Sequence, residues 1–445
     1  MRGQTKKSIM YIVMAMMLTT TIFFQQPLQA SAFSVNAEAA ILVDANSGRI
    51  LYQDNIDANL YIASMTKMMS EYLILEAIDE GRLEWDQTVP ISSFVRQLSL
   101  YTDLSNVPLR QDETYTVKEL YESIAIYSAN ASTIAIAELL YGSETGFVKA
   151  MNDKAEELGL TDYFFVNSTG LNNSNLLGQH PDGTAEDEEN RMSARATAKL
   201  AYHLINDYPE VLDTASIPDM IFKEGTEDQI EMKNWNWMLV GSIEPQFDYS
   251  GIDGLKTGYT SKAGNNFTAT AVRNGTRLIS VVMNTGTRAD RFNETEKLLD
   301  YGFNNFETIE LLPSGYQVEN GEMLPVSSGK EAEVSISTEE PLSLVIRRGE
   351  EELYTPVLTV DGGKLNDDGA LSAPIEAGEV VGTVHLSYSG TDENEYLVEN
   401  AEQTVNAITD HAVERAGWFS RTMSSIGGFF SGIWTAVSDT IKGLF

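Results

Sequence analysis

Residues Met68-Met69-Ser70-Glu71-Tyr72-Leu73-Ile74-Leu75-Glu76-Ala77-Ile78 constrain the fold more than any other stretch of this chain. The run is rich in strong helix formers and apolar on nearly every side, and a helix of that kind is buried. Directly before it stands Ile62-Ala63-Ser64-Met65-Thr66-Lys67. Ser64 and Lys67 are three residues apart, which on a helix puts both side chains on one face, one turn apart. The stretch therefore predicts a hydroxyl at the start of a buried helix with an amine one turn in. A serine hydroxyl is a weak nucleophile until a base takes its proton. A lysine can do so only when partly neutral, a state that burial or a nearby cation brings about. The helix start adds backbone N–H groups and a partial positive charge that favour an oxyanion. Ser327-Ser328-Gly329-Lys330 has the same spacing, but it sits among Pro and Gly with strand-like flanks and has no helix to align it.

The N-terminus reads as an export signal over residues 1–32. Arg2, Lys6 and Lys7 form a basic start, Ile9 to Leu18 an apolar core, and Ala30-Ser31-Ala32 a small-residue cleavage site. The alternative is an uncleaved anchor, for which the apolar core is short. The chain has no cysteine, so disulfides contribute nothing to its stability. Its 65 acidic residues against 30 basic ones exclude nucleic acid as a partner, since phosphate binding needs basic patches. Length and a 42% apolar fraction allow a substantial core and about two domains.

Ala39 to Asp44 and Arg49 to Gln53 read as a hairpin about Ala45-Asn46-Ser47-Gly48. Thr116-Val117-Lys118-Glu119 opens a helix with a capping box. That helix halts at Ser128-Ala129-Asn130-Ala131-Ser132, and a second is expected from near Thr133 to Gly142. Ser and Asn between two helices often serve only as caps. Further helices are expected over 144–158 and 193–208. Between them Asn167-Ser168-Thr169-Gly170-Leu171 is a loop, and the acidic Pro181 to Asn190 a solvated excursion without calcium-loop spacing. Asp253-Gly254-Leu255-Lys256-Thr257-Gly258-Tyr259-Thr260 precedes two strands, about 266–274 and 276–283. On a strand edge beside a cleft it presents a cation, a hydroxyl and a backbone position free of side chain to a substrate carboxylate. A last helix over 291–303 closes this part.

Three signals thus occur in one order: Ser64-x-x-Lys67, Ser128-x-Asn130 and Lys256-Thr257-Gly258. Penicillin-binding proteins and class A β-lactamases carry this set. Ala63-Ser64-Met65-Thr66-Lys67, Asp253 to Thr260 and Arg291-Phe292-Asn293-Glu294-Thr295 resemble the low-molecular-mass penicillin-binding proteins, D-alanyl-D-alanine carboxypeptidases of the serine peptidase type. The chain departs from that pattern at Ile62, often proline; at Ala131, often aspartate; at Ala196, usually aspartate; and in the acidic insert before Ser193. The resemblance implies an α+β, three-layer sandwich of the β-lactamase and DD-peptidase type, an antiparallel sheet with helices on both faces, over residues 33–308. It implies Ser64 as nucleophile, Lys67 as its base and Ser128 as proton relay. Asn130 would hold the substrate amide, and Lys256, Thr257 and Arg291 the terminal carboxylate. Gly258 would face the substrate, and the N–H groups of Ser64 and Tyr259 would form an oxyanion hole. The expected partners are a peptidoglycan stem peptide ending in D-Ala-D-Ala and β-lactams as inhibitors. The histidines His180, His203, His385 and His411 show no metal-ligand spacing, so no metal or cofactor is implied.

Residues 309–400 change to short strands with Pro and Gly between them: Glu333 to Ile336, Leu342 to Arg347, Val357 to Val360, Val380 to Tyr388. They predict a small all-β domain. The tail, 401–445, has apolar residues every three or four positions from Ile408 to Leu444 with Trp418 and Trp434 among them, as in an amphipathic helix lying in a membrane surface through residues 405–445. The alternative is a helix docked on the β-domain. Two other functions stay open on the residues alone. A β-lactamase needs a carboxylate to drive deacylation, where this chain offers Asn167, Ser168 and Thr169; a wall-binding scaffold needs no intact Ser64, Lys67, Ser128 and Lys256.

Overall fold

The computed structural model describes residues 33–319, 321–390, 395–398 and 403–417. The export signal over 1–32 and the tail from 418 onward lie outside the described residues.

The N-terminal half is built on one sheet. Its strands are β1 (Ala39–Asp44), β2 (Ile50–Asp54), β3 (Ile252–Thr260), β4 (Gly264–Arg273) and β5 (Thr276–Thr285). They lie in the order β2-β1-β5-β4-β3, every pair antiparallel, so β3 forms an edge. Successive side chains of a strand point to opposite faces, and this sheet is apolar on both. Ile41, Val43, Ile279, Val281 and Met283 join one core with Met68, Leu73, Ile124, Ile134 and Leu200. On the other face Leu42 and Leu278 reach Gly302, and Phe267 meets the ring of Phe292 edge-on at 5.3 Å. Gly302 and Phe292 both belong to the helix over Asp290–Asn305.

Six main helices complete the sandwich: α1 (Lys67–Asp79), α2 (Val117–Tyr127), α3 (Asn130–Tyr141), α4 (Glu144–Glu157), α5 (Ala194–Asp207) and α6 (Asp290–Asn305). Helix α6 covers one face, and α1 to α5 lie on the other. As its all-round apolarity predicts, α1 is enclosed: Lys67 to Leu75 are buried without interruption. Several helix starts carry side-chain caps. Thr116 and Glu119 form the capping box of α2, and Ser143 and Ser193 cap α4 and α5. The structure differs at α3, which begins at Asn130, not near Thr133. Ser128 closes α2 with φ of +62°, and one extended residue, Ala129, separates the helices. Polar Asn130 and Ser132 hide this start from apolar periodicity, although both are buried.

The acidic insert also differs from expectation. Asp182, Glu186 and Asp187 are exposed, but Glu189 and Asn190 are buried. Glu189 accepts hydrogen bonds from Asn172 (2.9 Å) and Thr260 (2.7 Å), which ties the insert to the end of β3. Asn190 donates to Thr66 Oγ1 (2.9 Å) and to the Asn167 carbonyl (2.8 Å), and accepts from the Val166 N–H (2.7 Å). The 166–171 loop is thereby held against the turn that carries Ser64.

Beyond α6 the chain forms a second core around Val334, Ile336, Ile346, Val381 and Val384. Strands β6 (Phe306–Leu312) and β9 (Leu342–Arg347) pair with each other. A six-stranded sheet contains β7 (Met323–Ser327), β8 (Glu333–Thr338), β10 (Tyr354–Val360), β11 (Leu371–Ser372), β12 (Val380–Tyr388) and β13 (Val405–Thr409). Its order is β10-β12-β13-β8-β7-β11. Strand β13 corrects the reading of 401–445 as one helix. Val405, Ala407 and Thr409 alternate with Asn406 and Ile408, a period of two with β-branched residues. The strand fills the gap between β8 and β12. Bridges continue to Arg415. The second domain thus reaches past 400, and a tail helix can begin only after it.

Arg49 and a returning segment are among the features that join the domains. Arg49 donates to the Val345 carbonyl (2.5 Å) and to Tyr354 Oη (2.8 Å). Residues 395–398 return to the first domain: the Leu397 N–H donates to the Gly48 carbonyl (2.9 Å), and Arg195 pairs with Glu395 (2.5 Å). Leu397 is buried in the core of the first domain.

Gly170 offers a test of how the loop fixes the Ser64 turn. Its φ is +80°, and a Cβ there would stand 1.9 Å from the Ala63 carbonyl oxygen. Gly170→Ala is expected to lower stability by about 1–3 kcal/mol through strain and displaced backbone and to slow reaction at Ser64. Thermal unfolding and the rate of covalent labelling by a fluorescent penicillin measure the two effects; wild-type values in both would show that the contact is dispensable.

Candidate active site

The cleft lies where the β3 edge meets the start of α1. Ser64 sits in a tight helical turn, Ala63–Thr66, that runs directly into α1. Ala63 holds φ of +48°, a conformation unusual for a residue with a side chain. Beside this turn runs Gly258. A Cβ at Gly258 would stand 2.3 Å from the Ile62 carbonyl oxygen and 3.2 Å from the Met65 nitrogen, so only glycine lets the edge strand press so closely. The Gly258 contact sets Tyr259, the next residue, beside the Ser64 turn.

Lys67 is fully buried one turn below Ser64. Its Nζ lies 3.1 Å from Ser64 Oγ, 2.8 Å from Asn130 Oδ1 and 2.7 Å from the Thr169 carbonyl. Burial, followed by the nearby Lys256 cation, holds Lys67 well below the usual lysine value of 10.5; Glu71 and Glu144 pull the other way. The last two of those contacts are acceptors only, so a neutral amine donates both its hydrogens to them. Its lone pair is left facing Ser64.

Ser128 and Asn130 come from the junction of α2 and α3. The Ser128 hydroxyl is buried and has no hydrogen-bond partner among the described residues. Asn130, expected to hold a substrate amide, is occupied here on both sides: Oδ1 accepts from Lys67, and Nδ2 donates to the Ser105 carbonyl (2.9 Å). On β3, Lys256 is buried and Thr257 nearly so. Burial lowers the Lys256 ammonium, Glu71 opposes that, and Arg291 adds to it. Arg291 enters from the first turn of α6. Burial and then Arg288 draw its guanidinium down, and its Nε has no partner among the described residues. Ser64, Ser128, Asn130, Thr257, Tyr259 and Arg291 line one cleft of about 370 Å³, with Lys67 and Lys256 buried beside it. The second Ser-x-x-Lys, at Ser327 and Lys330, lies in the β-domain; Lys330 pairs there with Glu414.

Several residues of the site escaped the sequence reading. Thr169 acts through a backbone carbonyl, which any residue would supply. Glu144 accepts from the Ser168 N–H (2.9 Å) and Oγ (2.7 Å) and so braces that loop from behind. Arg288 and Trp235 line the cleft, the guanidinium 5.4 Å from the indole ring. Glu71 follows Lys67 by one helical turn, a spacing that is legible only once Lys67 is known to matter.

A titration tests the electrostatics directly. With ¹³C-enriched lysine, the Lys67 signal, assigned by its loss in Lys67→Arg, is expected to titrate well below 10.5. A midpoint at the ordinary lysine value would contradict the burial and the Lys256 contact together.

Comparison with known proteins agrees with this geometry. Residues 25–287 match the family described as D-alanyl-D-alanine carboxypeptidase, peptidase S11. Residues 306–415 match the penicillin-binding protein 5 C-terminal domain, which ends where the bridges after β13 end. D-alanyl-D-alanine carboxypeptidase DacF of Bacillus subtilis is 32% identical over 401 residues, covering 90% of this chain and 91% of its own. The Haemophilus influenzae enzyme DacA is 30% identical, covering 96% and 99%. A solved peptidoglycan synthesis regulatory factor (PBP3) from Streptococcus pneumoniae has 34% identity and a TM-score of 0.71, covering 85% of this chain and 100% of that one. Penicillin-binding protein D2 from Listeria monocytogenes, solved in an ampicillin-bound form, has 32% identity and a TM-score of 0.50, covering 61% and 98%. With a family match over more than half its length, and with Ser64, Lys67, Ser128 and the β3 edge converging on one cleft, this chain belongs to the serine D-alanyl-D-alanine carboxypeptidase family.

Proposed function

We propose that Ser64 attacks the carbonyl between the last two residues of a peptidoglycan stem peptide ending in D-Ala-D-Ala. One observation carries the assignment: Lys67 Nζ lies 3.1 Å from Ser64 Oγ while its remaining contacts, Asn130 Oδ1 and the Thr169 carbonyl, only accept. Lys67 takes the Ser64 proton as the Oγ–carbon bond forms. The N–H groups of Ser64 and Tyr259 stabilise the oxyanion. Ser128, whose hydroxyl has no other partner among the described residues, passes a proton to the departing amine as the carbon–nitrogen bond breaks. Lys256, Thr257 and Arg291 receive the terminal carboxylate, and Asn130 orients Lys67 through Oδ1 while the second hydrogen of its Nδ2 is left for the substrate amide. Water then releases the shortened peptide. A β-lactam enters the same path and stays as the acyl-enzyme, in keeping with the ampicillin-bound relative.

Lys67→Arg keeps the charge but removes the base. Acylation of Ser64 by a fluorescent penicillin, and D-alanine release from a pentapeptide, are expected to fall by about 10²-fold or more. The adduct should map to Ser64 by peptide mass. Near-normal acylation of Lys67→Arg, or an adduct on another serine, would show that a different pair reacts.

The enzyme is exported through residues 1–32 and held on the outer face of the cytoplasmic membrane by its tail. Among the described residues no helix is long and apolar enough to cross a membrane. The tail beyond Gly417 carries Trp418, Phe419, Phe430, Ile433 and Trp434. Each contributes roughly 1.5–3 kcal/mol when fully buried. The chain is strongly acidic, so its charge opposes an anionic surface, and apolar burial supplies the attraction. Co-sedimentation with anionic liposomes is expected to hold or strengthen as salt rises, and to be lost in a version ending at Gly417, which keeps β13 intact. Equal sedimentation of both forms would assign the anchor elsewhere.

A further inference from the structure

Two arginines stand at the cleft in different ways. Arg291, in the first turn of α6, is buried, whereas Arg288, in the loop between β5 and α6, is exposed. The Arg288 guanidinium lies over the indole of Trp235, 5.4 Å from the ring centroid. That ring is itself fixed. Its Nε1 donates to the Tyr127 carbonyl (3.1 Å), and it stacks on the Tyr127 ring with centroids 6.2 Å apart. An aromatic face thus seats the guanidinium while leaving its N–H groups available. Arg288 makes no hydrogen bond or ion pair among the described residues.

Other arginines of this acidic chain are neutralised: Arg82, Arg110, Arg195, Arg273, Arg277 and Arg348 each pair with a carboxylate. Arg288 borders open space on two sides instead. It lines the cleft, and it also lines a second cavity of about 530 Å³ that meets the cleft at Tyr259 and Arg288. Of the residues lining the two cavities Asp103 alone is acidic, and it forms no ion pair among the described residues. The walls are therefore clear of the carboxylates that neutralise arginine elsewhere on the molecule.

An anion on its way to Lys256, Thr257 and Arg291 meets two obstacles. The acidic surface repels it, and the buried receptor strips away its water. An exposed cation on the wall offsets the repulsion, and a guanidinium fork supplies paired hydrogen bonds to a carboxylate as that water is lost. Arg288 is also near enough to Arg291 to act on it as a like charge, so one carboxylate lies in the field of both.

The geometry points to Arg288 as a specificity-determining residue that takes the substrate's terminal carboxylate at the mouth of the cleft and passes it to the buried receptor. This rests on the receptor role proposed above for Lys256, Thr257 and Arg291. Trp235 is the seat that keeps the guanidinium in line.

The test is D-alanine release by wild type, Arg288→Gln and Arg288→Lys from a soluble pentapeptide with a free or an amidated C-terminus, at low and high salt. In Arg288→Gln, kcat/KM for the free acid is expected to fall about three- to tenfold, the net worth of an exposed charged hydrogen bond. The fall should come through KM, with kcat nearly kept. The gap from wild type should narrow as salt rises, because the charge is exposed. Arg288→Lys, which keeps the charge without the planar fork, should recover at least part of the loss. The amidated peptide, which offers no carboxylate, should show no comparable fall. An unchanged KM in Arg288→Gln, an equal fall for both peptides, or no recovery in Arg288→Lys would overturn the proposal. Should Arg288→Gln not fold, Arg288→Lys carries the comparison of the two peptides, and an equal change for both would overturn it. Equal release from the two peptides by the wild type would instead overturn the receptor role beneath it.

Discussion

The structure depends on the burial of a single amine. Lys67 lies at zero exposure inside the helical layer, with three hydrogen-bond contacts and a second lysine nearby. An ammonium in such a place costs several kcal/mol, so the fold favours the neutral form that the chemistry requires. Each surrounding element contributes to keeping it there. Helix α1 is enclosed on all sides, α3 supplies Asn130, the 166–171 loop supplies a carbonyl, and β3 supplies Lys256. Asn190 and Glu189 then lock that loop and the end of β3 in place.

The charge of the molecule is distributed in a corresponding way. A chain with 65 acidic and 30 basic residues places Lys67, Lys256 and Arg291 inside or beside the cleft, and Arg288 on its wall. The long-range field repels anions, whereas the cleft proposed to take the substrate carboxylate is lined and backed by cations. Selection for a terminal carboxylate thus comes at contact distance, where low dielectric strengthens each interaction and salt screens little.

Most of this was legible in the sequence, for identifiable reasons. All-round apolarity gave away α1, and short apolar runs bounded by turn residues gave away β1, β2, β4 and β5. The three motifs fell on a helix start, a helix junction and a strand edge, as their chemistry asks. What stayed hidden was of two kinds. Backbone groups such as the Thr169 carbonyl have no residue signature. Glu189, Asn190 and Glu71 look like surface residues until long-range packing buries them. Strand β13 was missed because Val405-Asn406-Ala407-Ile408-Thr409 is short and runs into a tail with helical spacing. Its partners, β8 and β12, lie far away in sequence and alone decide its conformation.

The return of residues 395–398 to the first domain gives the molecule a mechanical property. The chain crosses from the catalytic half to the β-domain after α6, comes back to pair with Gly48 and Arg49, and crosses again to form β13. Arg49 sits at this joint, buried, with hydrogen bonds into the second domain. A hinge between the halves would have to break those bonds and expose Leu397 together. Turning one half against the other therefore costs a buried guanidinium its partners and a leucine its cover at the same time.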